Sequence, residues 1–145
     1  MFVTSSRPAG DACIVAFTRS TKADLKATLM IRTFHHTGVI TDQIQPDEIY
    51  VPASKVWVTS PEQHPYRIEF LRFEPDSPVE GPVRTRCHTA YVVEDLQAAI
   101  EHANVLLGPF DALEGLRVVF VEEDGAVIEY MEFFGGRTAI GERER

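Results

Sequence analysis

The sequence predicts an α+β fold built from two related, strand-rich modules. Three observations predict it. Segments with the two-residue alternation of β-strands outnumber the single segment with a helical period. Strand-like stretches that carry a histidine recur 52 residues apart, at His36 and His88. Each is followed by a strand-like stretch that carries a glutamate, first Glu69 and then Glu129. A weak duplication of this kind makes two copies of one supersecondary unit the first fold to consider.

Length and composition narrow the function. At 145 residues the chain suits one compact domain or two small fused modules. Apolar residues make up 44%, enough for a core. The formal net charge of −8 argues against nucleic acid as a partner, because such a partner needs a basic face to neutralise phosphates. Cys13 and Cys87 form no paired motif, so neither a disulfide framework nor a thiolate zinc site is expected. The matching expectation is a reducing, cytoplasmic setting. The longest apolar run near the N-terminus, "ACIVAF", is too short for a membrane span and makes a poor signal-peptide core.

The elements follow in order. Residues 1–29 carry four basic and two acidic side chains, against ten and twenty in the remainder. That change of sign, and the fresh start at Met30, mark residues 1–29 as an N-terminal extension. Within it "CIVAF" reads as a short strand and "KADLKATLM" as a short helix. The domain proper is expected over 30–145, with modules of about 30–80 and 81–136. "TFHHTGVI" is the first strand. Pro46 and sparse apolar residues argue against a full helix after it, so the first module is reduced. "SKVWVTS" and "YRIEFLRFE" are strands separated by the turn signal "PEQHP". After the connector "EPDSPVEGP", "TRCHTAYVV" is a strand. "EDLQAAIEHANVLL" places Leu96, Ala99, Ile100, Ala103 and Leu107 on one helical face, and Gly108-Pro109 ends that helix. "LRVVFVEE" and "AVIEYMEFF" are strands of a hairpin, joined through Asp124-Gly125. The closing "GERER" is a charged tail.

Side-chain direction supplies the candidate site. Alternation lets only one of His35 and His36 face inward. Glu69 shares a face with Arg67 and Leu71, and Glu129 with Val127, Met131 and Phe133. A carboxylate on an apolar face is costly unless it is paired, protonated or bound to a metal. Glu132 lies on the opposite, wetter face. Two histidines and two glutamates, one pair per module, suit a divalent cation such as zinc, nickel, cobalt, manganese or iron. For each residue alone, a satisfied core or surface role is the ordinary reading; the repeat raises the joint one. Arg84 and Arg86, beside the His88 strand, are candidate partners for an anionic substrate, with a solvated role as the alternative.

These residues resemble a known family. "CHTAYVVEDLQAAIEHA" and "GLRVVFVEEDGAVIEYMEF" are similar to the vicinal oxygen chelate (VOC) superfamily, the glyoxalase, bleomycin-resistance and extradiol-dioxygenase group. Its modules open with a strand like H-x-x-x-x-V-x-D-L and close with D-G-x-x-I-E-L-x-E. The resemblance covers about residues 84–134 and, in part, 33–74. It implies two βαβββ-type modules, the first reduced, pairing into a glyoxalase-like curved mixed sheet around a metal-binding cleft, with His36, Glu69, His88 and Glu129 as metal ligands. His36 is placed over His35 because "HTGV" matches the family's H-I-G-I. The shortened stretch between His36 and Glu69 departs from the pattern, and no glutathione-binding pattern is present.

The function implied is proton transfer next to a carbonyl. A small molecule with two neighbouring oxygens would chelate the ion, with Glu129 or Glu69 as the base. The reaction would be an isomerisation, an epimerisation or a lyase step. One alternative is a non-catalytic small-molecule or drug-binding protein of the bleomycin-resistance kind. Another is an iron-dependent dioxygenase, which usually uses two histidines and one glutamate. The resemblance also implies a homodimer.

Overall fold

In the computed structural model, which describes residues 30–141, eight strands form one curved mixed sheet. They are β1 (Thr33–Ile40), β2 (Ile49–Val51), β3 (Val56–Val58), β4 (Ile68–Phe73), β5 (His88–Val92), β6 (Asn104–Leu113), β7 (Leu116–Glu123) and β8 (Ala126–Phe133). Helices are few and short: α1 (Pro82–Thr85), α2 (Leu96–Ile100) and a 3₁₀ turn at Pro61–Gln63. The order across the sheet is β2-β3-β4-β1-β5-β8-β7-β6.

Both halves repeat one arrangement, with the first strand of the half beside its fourth, then the third, then the second. β1 runs parallel to β4, and β5 runs parallel to β8. The halves join along the antiparallel pairing of β1 with β5. The strands that carry histidine and those that carry glutamate thereby occupy the four middle positions.

The central strands are covered on both faces. In β7, Leu116, Val118 and Phe120 face one core with Val58, Leu71 and Met131. The alternate residues Val119 and Val121 face another, with Leu96, Ala99 and Tyr130. Helix α2 seals this second core. Asp95 caps its N-terminus by accepting from the Ala98 amide, and Glu132 on β8 accepts from the Leu96 amide at 2.8 Å. Glu132 therefore does lie away from Glu129, on the helix side of the sheet.

The structure corrects the expected helix over 94–107. Only Leu96–Ile100 is helical, and Asn104–Leu107 belong to β6. Val105 pairs with Val121, and Leu107 with Phe120. Apolar residues at 105–107 can bury either as helix or as strand, and here the exposed side of β7 takes them as its neighbour. Gly108-Pro109 lies inside β6, where the pairing shifts register, and does not end a helix. The hairpin at Asp124-Gly125 forms with φ of 51° and 78°, the left-handed pair that a two-residue turn requires. The three-residue strand β2 and helix α1 carry no distinct sequence pattern and went unanticipated. Residues 41–48 hold turns and bends without a helix. The elements expected within residues 1–29, and the tail beyond Gly141, lie outside the described residues. Among the described residues no helix is long and apolar enough to cross a membrane.

Candidate metal centre

The register of the middle strands brings the four candidate ligands together. Across the β1–β5 seam, His36 pairs with Ala90 and Gly38 with His88. Gly38 also neighbours Glu69 on β4, and Ala90 neighbours Glu129 on β8. Each histidine is thus followed two positions later by a small residue, in "HTG" and in "HTA". The small residue of one strand leaves room for the imidazole of the other. A Cβ built on Gly38 would lie 2.0 Å from Cε1 of His88, so only glycine admits that ring. Phe120 closes the site on one side, edge to face with His88 at 5.2 Å between centroids.

His36, Glu69, His88 and Glu129 are all buried, and one ligand atom from each lies within 4.8 Å of the others. His36 Nε2 is 3.1 Å from Glu69 Oε2, 3.3 Å from Glu129 Oε2 and 3.3 Å from His88 Nε2. His88 Nε2 is 3.0 Å from Glu129 Oε2 and 3.9 Å from Glu69 Oε2. These separations resemble the edges of a coordination shell. Bonds of about 2.0–2.2 Å to nitrogen and oxygen give ligand–ligand edges of roughly 3.0 Å in an octahedron and roughly 3.4 Å in a tetrahedron.

A buried polar atom without a partner tests the fit. Glu129 Oε2 makes no aligned hydrogen bond among the described residues, although both imidazoles stand close to it. Proximity without an aligned donor leaves this oxygen two nearby nitrogens and nothing to accept from. A cation would satisfy it, so the residues present could hold a metal ion.

The charge balance points the same way. Burial alone would push the His36 imidazole down. The carboxylates of Glu69 and Glu129 outweigh it and raise the His36 pKa from 6.5 to about 10. Burial pushes Glu129 up, but the two imidazoles beside it win and bring it from 4.5 to about 2. Without a metal, His36 therefore carries the positive charge that the carboxylates demand. The stability that His36 contributes is complete below pH 6.5 and is lost as pH rises through about 10. The share of Glu129 is complete above pH 4.5 and is lost as pH falls through about 2.

The expectation that only one of His35 and His36 faces inward is corrected. A β-bulge between Phe34 and His36 leaves His35 unpaired with β5, and both rings are buried. Arg67 Nε holds the bulge by donating to the His35 carbonyl at 2.8 Å. His36 remains the one that meets the glutamates and His88. His35 stands behind it, with 2.8 Å between their Nδ1 atoms. Its Nε2 lies 3.1 Å from Glu62 Oε1. Burial raises the Glu62 carboxyl, but His35, the Ser60 hydroxyl and the Ile140 amide together drive it well below the usual carboxylate range. A charged His36 donates from both ring nitrogens, so His35 Nδ1 accepts and His35 Nε2–H donates to Glu62. That chain keeps the proton on His36 Nδ1 and aims Nε2 at the cluster. Glu62 sat in an apparent surface turn, and its role had no signal in the sequence.

Arg84 and Arg86 do not join the site. Arg84 donates to the carbonyls of Glu74, Ser77 and Val79, and Arg86 is exposed.

Comparison with known proteins speaks to the fold. No protein-family model matches the chain, and no curated protein matches it. Among solved structures, the chain is similar to a hypothetical protein from Bacillus halodurans C-125, with a TM-score of 0.58 and 17% identity. The match covers 74% of this chain and 98% of that one. At that identity the likeness concerns the path of the backbone alone.

Two outcomes are expected. Because a metal must displace the His36 proton, its apparent affinity should keep rising above pH 7, toward pH 10, with a proton released per ion. Calorimetry in buffers of different ionisation enthalpy reads that release, and an affinity that levels off near pH 7 contradicts it. Gly38→Ala should displace the His88 ring and weaken metal binding at least tenfold. Equilibrium dialysis against a chelator measures the loss, with circular dichroism to check the fold.

Proposed function

We propose that the chain is a metal-dependent enzyme of the vicinal oxygen chelate type, catalysing proton transfer next to a carbonyl. The observation that carries this reading is the buried His36–Glu69–His88–Glu129 cluster at the centre of a sheet whose halves repeat one strand order. Reading those halves as glyoxalase-like modules is part of the proposal, supported by the motifs around His88 and Glu129.

The bound divalent ion would supply a Lewis acid for two neighbouring oxygens of a small substrate. The chain's own residues do the remaining work. His36, His88 and the two carboxylates would hold the cation together, and both carboxylates line the cavity that a substrate would enter. One of them takes the proton from the carbon beside the carbonyl; the same carboxylate then returns it to the neighbouring carbon, or the other one delivers a proton to the opposite face. The first outcome is isomerisation and the second epimerisation; expulsion of a neighbouring group would make the step a lyase reaction. Phe120 and the apolar wall keep water from that proton. A homodimer belongs to the same proposal, since among the described residues the edge strands β2 and β6 each have one unpaired side.

The apolar lining of the cavity favours one second reading, a protein that sequesters a small molecule without transforming it. Metal analysis separates the two. Protein purified without added metal should carry close to one divalent ion per chain, and His88→Ala should carry at least tenfold less. Glu69→Gln and Glu129→Gln should divide: the variant that lost the base keeps its metal and loses exchange of the substrate's carbon-bound proton. Equally low metal in wild type and His88→Ala would leave the binding reading.

A further inference from the structure

The cavity reaches Glu69 and Glu129 at one end, and elsewhere its walls are hydrocarbon. Val58, Leu71, Val118 and Phe120 stand near the carboxylates, with Leu116 and Ile140 among the other walls. Among the described residues, the only lining side chains with a polar group are Ser54, Glu69 and Glu129, with no lysine, arginine or histidine. Its volume is about 50 Å³. That is small, and only a compact ligand body fits it.

Two physical consequences follow. A ligand charge set against these walls would lose its hydration and find no counter-charge. At the other end, two carboxylate ligands would already balance a divalent ion, so an anionic chelating group would bring an uncompensated charge into a buried site. We propose that the substrate is an uncharged molecule with vicinal oxygens, an α-hydroxyketone or α-dicarbonyl, carrying a short aliphatic body. This inference rests on the metalloenzyme reading and adds to it the class of substrate. Dicarboxylates, phosphorylated sugars and glutathione adducts fall outside that class, because each carries a charge that the cavity does not meet.

The test uses a pair of nearly equal shape. Acetoin (3-hydroxybutan-2-one) and lactate differ chiefly in that lactate has a carboxylate where acetoin has an acetyl group. Uptake of cobalt(II) alone is measured first, and it decides the metal reading by itself. The cobalt-loaded protein is then titrated with both probes, followed by the visible absorption of the metal. Acetoin should bind at least tenfold tighter than lactate. 4-Hydroxyhexan-3-one should bind tighter still, by up to about fourfold per added methylene, the equivalent of ~0.8 kcal/mol. Lactate binding as tightly as acetoin overturns the proposal.

If the protein takes up no cobalt, the cavity claim is still decided on the metal-free chain. The methyl resonances of Val118 and Leu116 should shift with 4-hydroxyhexan-3-one and stay in place with succinate. No shift with the neutral probe, or an equal shift with succinate, overturns the claim.

Discussion

Two carboxylates buried at the middle of a sheet require positive charge within about one coordination radius, and much of this structure can be traced to that requirement. Glu69 and Glu129 are 5% and 6% exposed, on faces otherwise occupied by Leu71, Val127 and Met131. Left alone they would take up protons or unfold the strands that carry them. His36 and His88 lie between them and meet the need, by carrying a proton on His36 or by holding a cation. The placement of both imidazoles in turn requires small neighbours. Gly38 and Ala90 supply them, at matching positions on the two seam strands. The bulge at His35, the arginine that holds it and the Glu62 carboxylate behind it then fix the direction of the His36 ring.

The strand order explains why four residues so far apart in sequence converge. Each half sets its last strand beside its first, so a histidine strand and a glutamate strand become neighbours within each half. Joining the halves along the histidine strands brings all four side chains to one place. The outer strands β2 and β3 are short, and they serve as walls. The segment between β1 and β2 holds no helix, and the middle of the sheet does not depend on one. The cavity follows from the same layout: it is bounded by apolar side chains of the outer strands and ends at the two carboxylates.

Most of the strands were legible in the sequence, because alternation and turn residues are local signals. "TFHHTGVI" and the Asp124-Gly125 hairpin are strand and turn in the structure with the bounds their patterns suggest. The segment at 104–107 was not legible. Val105, Leu106 and Leu107 satisfy a helical period and a buried strand equally, and only the bare edge of β7 decides between them. The candidate quartet was legible through duplication, since a histidine strand and a glutamate strand recur together. Its supporting residues were hidden for physical reasons. A bulge adds a residue without changing composition, so His35 looked like an alternative to His36 instead of its partner. Glu62 comes near through the fold of a turn. Yet "HTG" and "HTA" carried a readable sign: a small residue two places after each histidine is what two rings packed across a strand seam require.

The account depends on one cation-binding point among His36, Glu69, His88 and Glu129. Anomalous diffraction from crystals equilibrated with cobalt(II) tests it most directly. The expected result is one strong peak between the four side chains, about 2.0–2.2 Å from each ligand atom. A map with no peak there, the histidines and glutamates instead paired with each other at full metal saturation, would contradict it.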